Sequence, residues 1–130
     1  MIKILSLPDA FDLLSGRAVK AVRESGVVLL QSERAGCAQG IRGIAKEVHT
    51  LDDLFERAED FDALYEEGAR RAAALADGQD VTFCVIGDVF ENGFVRALTR
   101  NGAQLEFIDG AGTVDRAVFL AARHIGAIGG

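Results

Sequence analysis

The sequence predicts an α/β domain, a five-stranded, mainly parallel sheet with helices on both faces. Strand-like and helix-like segments alternate along its 130 residues, and that alternation implies right-handed βαβ crossovers. Two strand segments, 27–30 (VVLL) and 81–86 (VTFCVI), have almost no polar interruption, as in parallel strands covered on both faces. A composition of 49% hydrophobic and 26% charged residues suits one core with a charged surface, so residues 1–130 are expected to form a single domain. One proline and 15 glycines argue against disorder.

The first strand covers 2–7. Ser15 can cap a helix that runs to about Ser25, with Ala18, Val19, Ala21 and Val22 as its apolar positions, and Gly26 suits the position after it. The second strand is 27–30. Residues 35–43, rich in Gly and Ala, read as a loop or as a loop with a short helix. A brief third strand is expected at 47–49. A short helix follows at 50–58, capped by Thr50 or Asp52. Asp60 can cap a longer helix over 61–76, whose apolar positions Phe61, Leu64, Tyr65, Ala69, Ala72 and Leu75 recur at steps of three and four. Gly78 ends it. The fourth strand is 81–86. A helix is expected over 90–100, with Phe90, Phe94, Ala97 and Leu98 on one side and Asp88 as its cap. The fifth strand is 104–108. Thr113 can cap a last helix over 114–124, and the Gly-rich stretch 126–130 reads as the start of a linker.

Charge and motifs remove several function classes. With 20 acidic and 14 basic residues the formal net charge is -6, which opposes binding to phosphate backbones, so nucleic acid is not an expected partner. No apolar run reaches membrane-spanning length, so no membrane partner is expected either. The N-terminal stretch MIKILSLPDAF lacks the longer apolar core and small-residue cleavage site of a secretory signal, and the expected location is the cytoplasm. Cys84 lies in an apolar strand pattern and reads as core. Cys37 lies in the Gly-bounded stretch AGCAQG and is expected to be exposed. There is no CxxC pair to suggest a zinc site. The acidic residues between Asp52 and Glu67 read as a solvated helix face, because their spacing matches no calcium loop. His49 and His124 have no Cys or His at ligand spacing and read as surface residues. No serine sits in a nucleophile elbow. The turn after the first strand, Ser6-Leu7-Pro8-Asp9, has no glycine and no Walker A sequence occurs, which leaves dinucleotide and P-loop binding unsupported.

What remains is a set of corners. Gly87-Asp88 lies where a buried strand gives way to a helix. The structural reading of that pair is a turn glycine and a helix cap. A functional reading needs partners, and two exist, Leu7-Pro8-Asp9 after the first strand and residues 108–113 (IDGAGT) after the fifth. In a parallel sheet all three corners lie at the carboxyl edge, where ligands of open α/β sheets bind.

These corners and the segments between them resemble the tetrapyrrole methylases, the corrin and uroporphyrinogen methyltransferases among them. The likeness is strongest to the methylase-like domain that precedes a MazG nucleotide pyrophosphohydrolase domain in YabN-type proteins. Residues 51–88 carry most of it, with an acidic "ED-F-x-x-x-Y" helix start, a long helix and a strand ending in a Gly-Asp corner. LLQSER (29–34) and LEFIDGAGT (105–113) add to it. Three departures stand out. The family's first loop has the form Gly-x-Gly-Pro-Gly-Asp, of which only Pro8 and Asp9 remain. Val89 stands where the family has a proline after Gly-Asp, and Asp109 stands where it has one before Gly110.

The resemblance implies the strand order 3-2-4-1-5 and S-adenosylmethionine as cofactor, weakly bound or absent in this chain alone. It implies Pro8, Asp9, Gly87, Asp88, Val89 and Gly110 as cofactor-binding positions, with Pro8-Asp9 close to Gly87-Asp88. It also implies a homodimer and a second methylase half or a MazG-type domain as partner. The sequence matches the first of the family's two α/β halves and stops near where a linker to the second would begin. Two functions follow as expectations. One is half of an S-adenosylmethionine-dependent methyltransferase unit, incomplete by itself. The other is a catalytically degenerate binding or dimerisation module, attached to or regulating a nucleotide pyrophosphohydrolase. No catalytic residue and no metal ligand is assigned.

Overall fold

The computed structural model of the chain describes residues 1–108 and 110. The expected last helix with Thr113 and His124, the corner residue Asp109 and the tail 126–130 lie outside the described residues. The elements in chain order are β1 (Ile2–Ser6), α1 (Gly16–Glu24), β2 (Val27–Leu30), α2 (Ala38–Ile44), β3 (Val48–Thr50), α3 (Asp52–Arg57), α4 (Phe61–Leu75), β4 (Val81–Val85), α5 (Gly93–Arg100) and β5 (Leu105–Ile108), with a 3-10 turn at Phe11–Leu13. The sheet has the order β3-β2-β4-β1-β5 and every pairing is parallel.

Side-chain alternation in the central strands supplies two cores. Ile2 and Ile4 of β1, Val27 and Leu29 of β2, and Val81, Phe83 and Val85 of β4 face one side, where α4 and α5 contribute Leu64, Ala69, Ala72, Phe94 and Leu98. Leu5, Val28, Leu30 and Cys84 face the other, against Ala18, Ala21 and Val22 of α1 and Ile41 of α2. All residues of β2 and β4 are buried, which accounts for their lack of polar alternation. The one polar side chain inside β4, Thr82, is satisfied. Its Oγ1 lies 2.7 Å from Ser25 Oγ, and Ser25 Oγ donates to the Ala21 carbonyl at 2.9 Å. A buried hydroxyl without such a partner would cost about 1–3 kcal/mol.

Local signals set most helix starts. Ser15 Oγ accepts from Ala18 N at 3.1 Å and Asp60 Oδ1 accepts from Ala63 N at 2.7 Å, so both expected caps form. Three expectations need correction, those for the cap of α3, for Cys37 and for the start of α5. Neither Thr50 nor Asp52 caps α3; Thr50 ends β3, and the cap residue Leu51 makes no side-chain bond. Of the two readings of the Gly- and Ala-rich stretch, the loop with a short helix holds: residues 38–44 form a helix whose buried face carries Ala38 and Ile41. Cys37 is buried rather than exposed, because the loop after β1 closes over it. The fourth helix of the pattern begins at Gly93 rather than Phe90, and its cap is Asn92, whose Oδ1 accepts from Phe94 N and Val95 N. Phe90 is left in the preceding turn, where its ring stacks on Phe107 with centroids 5.2 Å apart.

Candidate functional site

The carboxyl edge of the sheet brings together the ends of β1, β4 and β5. Gly87, directly after the β4 exit, has φ +82°, a left-handed conformation that L-residues adopt only at a cost. It reverses the chain so that Asp88 can organise the next turn. Asp88 Oδ1 accepts from Phe90 N at 2.8 Å, and its carbonyl accepts from Glu91 N and Asn92 N. Asp88 therefore caps a turn, not α5. Val89, the position where the related pattern has proline, is buried in the core on the α4–α5 side, so its side chain serves packing. Gly87 and Asp88 are both exposed.

The end of β1 is tied to both neighbouring corners through Ser6. Its Oγ donates to the Gly87 carbonyl at 2.6 Å. Its own carbonyl lies so near Gly110 that a Cβ there would come within 2.5 Å, and Gly110 in turn accepts from Ser15 N at 3.1 Å. Gly110 is buried. Pro8 and Asp9 contact the loop before α2. The Pro8 carbonyl accepts from Cys37 Sγ at 2.9 Å, and the Asp9 carbonyl presses against Gly36, where no Cβ fits. Burial, then Asp9 and Asp12, push the Cys37 thiol above its usual range. It is held as a neutral donor rather than as a reactive thiolate.

Three residues of this edge were not predicted as site residues. Ser6 is one. The others are Gln31 and Asn92. Gln31 Oε1 accepts from Ile86 N at 3.0 Å and from Asn92 Nδ2 at 2.8 Å, so one side chain bridges the ends of β2, β4 and α5. A positional signal was present for Gln31 and Asn92. Gln31 is the first polar residue after the apolar run 27–30, and a polar residue there falls on the carboxyl edge. Asn92 precedes Gly93 at a helix start, a favoured capping position.

The acidic run lies on exposed faces of α3 and α4. Arg71 holds Asp53 in a two-pronged pair at 2.7 and 2.9 Å and also donates to the Thr50 carbonyl. This pair lowers the Asp53 pKa to about 2. His49 is exposed and pairs with Glu47.

No family model matches the chain, and no curated protein matches it in sequence. Solved structures do match. Cobalt precorrin-4 methyltransferase CbiF, described as a cobalamin biosynthetic enzyme, aligns with 84% of this chain and 46% of its own at 20% identity and a TM-score of 0.57. Uroporphyrin III C-methyl transferase from Thermus thermophilus aligns with 85% of this chain and 48% of its own at 21% identity and a TM-score of 0.52. At such identities the likeness is one of fold. This chain spans about half the length of either structure, and over that half it has the α/β fold of the tetrapyrrole methylases.

Proposed function

We propose that the chain is one half of a tetrapyrrole-methylase-like unit, akin to S-adenosylmethionine-dependent methyltransferases, and that by itself it acts as a binding module. The observation that carries this reading is the Ser6–Gly87 hydrogen bond of 2.6 Å at the carboxyl edge. A glycine-rich loop lets a ligand approach the backbone closely. Here the first corner has side chains, and Ser6 joins that corner to the next. Gly110 is packed onto Ser6, and Gln31 occupies the Ile86 N–H. Among the described residues of these corners only Gly87 meets the requirement, being exposed with open space where a side chain would stand. The described residues of these corners do not make a cradle for S-adenosylmethionine.

The second methylase half, or a pyrophosphohydrolase of the MazG type, is the partner this reading calls for. The likeness of residues 51–88 to the YabN-type domain supports the latter. A homodimer and a cytoplasmic location belong to the same proposal. Among the described residues no helix is long and apolar enough to cross a membrane.

Calorimetric titration with S-adenosylmethionine tests it. The expected result for this chain is binding in the millimolar range or none. A micromolar dissociation constant, tighter by roughly 4 kcal/mol, would make the chain a competent cofactor site and overturn the module reading.

A further inference from the structure

The described surface has a second feature, separate from the carboxyl-edge corners. Phe61, at the first position of α4, is 71% exposed, and Phe55 of α3 is 44% exposed. Neither is isolated. Phe61 stacks on Tyr65 with centroids 6.1 Å apart, Tyr65 meets Phe94 edge-on at 5.2 Å, and Phe55 meets Phe94 edge-on at 5.9 Å. Phe94 is buried and touches Phe83 of the central strand. The two exposed rings are thus the outer ends of an aromatic run anchored in the core. Beside the first turn of α4 a groove of about 360 Å³ opens between α3 and α4, lined by Leu54, Ala58, Ala63 and Leu64 and by the charged side chains of Arg57, Glu59 and Glu67; Arg57 is engaged by Asp53 at 3.4 Å.

The charge around this surface is selective. Elsewhere on α3 and α4 most carboxylates are matched, Asp53 by Arg71, Glu66 by Arg100 and Glu67 by Arg70, while Asp52 accepts from Glu33 N. Glu56, Glu59 and Asp62, which flank the exposed rings in sequence, form no ion pair among the described residues. All three are exposed. A second copy of the chain docked through the same patch would set these like charges against each other, which is destabilising. An anionic lipid surface would meet the same repulsion. A groove between two helices accepts the apolar stripe of a third.

We propose that the α3–α4 surface is a docking site for a partner's amphipathic helix, whose apolar stripe enters the groove against Phe61 and whose lysines or arginines meet Glu56, Glu59 and Asp62. This inference does not depend on the fate of the cofactor site. It names the chemistry of the partner that the module reading requires.

The test uses the full chain and two fluorescein-labelled helical peptides of one Leu pattern, one with Lys and one with Glu at its polar positions. Fluorescence anisotropy follows binding at low and high salt. The Lys peptide is expected to bind, with affinity falling at least tenfold in Phe61→Ser and at least tenfold in the Glu59→Lys/Asp62→Lys pair. The Glu peptide is expected to bind the charge-reversed pair better than the native chain. All three positions are exposed, and circular dichroism checks that each variant is folded. Failure of the Lys peptide to bind, or its binding unchanged in Phe61→Ser, overturns the proposal. So does sedimentation showing a native dimer that Phe61→Ser dissociates, because the patch would then be a self-interface. Cofactor titration of the native chain tests the module reading separately.

Discussion

Ser6 and Gly87 are 81 positions apart and are joined by a 2.6 Å hydrogen bond from the serine hydroxyl to the glycine carbonyl. The bond locks the end of β1 to the end of β4 beyond the last ladder pair, Ser6 with Val85. Ser6→Ala is expected to lower stability by about 1 kcal/mol, the usual net value of one such bond. The urea midpoint at unchanged m-value measures it.

Gln31 accepts two bonds with one oxygen, so its loss should cost more. In Gln31→Leu the Ile86 N–H loses its acceptor and Asn92 Nδ2 keeps only the longer bond to the Ile86 carbonyl, at 3.4 Å. A loss of about 1–3 kcal/mol is expected, with faster hydrogen exchange at the Ile86 amide. Gln31→Glu keeps the acceptor and should lose less. Equal exchange at Ile86 in all three proteins would show that the bridge does not hold the corner.

Gly87 has room for a side chain but not the backbone angle for one. With φ at +82°, Gly87→Ala is expected to cost about 1–2 kcal/mol, and Gly87→Asn less, since asparagine enters this region more readily. Any binding experiment on a Gly87 variant therefore needs its thermal unfolding curve beside it, to separate a lost fold from a blocked corner.

The Asp53–Arg71 pair sets a pH dependence with a definite sign. The carboxylate's folded pKa is lowered to about 2 by Arg71, below an unfolded value of roughly 3.9. Its contribution is fully present above about pH 5 and is lost as the pH falls through 2. The Asp53 side chain is 52% exposed, so solvent screening limits the effect to about 1 kcal/mol. Asp53→Asn should be destabilised by that amount at pH 7, and the gap from the native chain should narrow steadily below pH 4. A gap constant from pH 7 to pH 2 would assign the loss to something other than ionisation.

Both cysteines are buried, Cys37 under the Pro8 carbonyl and Cys84 in the central strand, and burial raises both thiol pKa values. Neither should react with a thiol reagent in the folded protein at pH 8, and both should react in denaturant. Rapid labelling of Cys37 in the native chain would show that the loop after β1 opens.

The parallel sheet was legible because residues 27–30 and 81–86 leave no polar face, and Ser15 and Asp60 were legible because capping is a local event. Cys37 was misread for a non-local reason. Its neighbours Gly36 and Gly40 looked like loop glycines, but what covers Cys37 is Pro8, 29 positions away. The start of α5 was misplaced because Phe90 fits the apolar spacing of that helix, while in the fold it is taken by Phe107 across the chain. At the site, Gly87 and Asp88 announced themselves by residue type. Gln31 acts only through partners 55 and 61 positions off, and no local pattern records those.

The strand order has a consequence for synthesis. Of the five strands, β1 leaves the ribosome first, yet its neighbours in the sheet are β4 and β5. Ile2 waits about 80 residues for Val81, or roughly 4–16 s at 5–20 residues per second. During that interval β2 can pair with nearby β3, while β1, with Ile2, Ile4 and Leu5, has no sheet partner. Nascent chains that have not yet made β4 should therefore recruit a holding chaperone through the β1 segment, and release it once β4 has emerged.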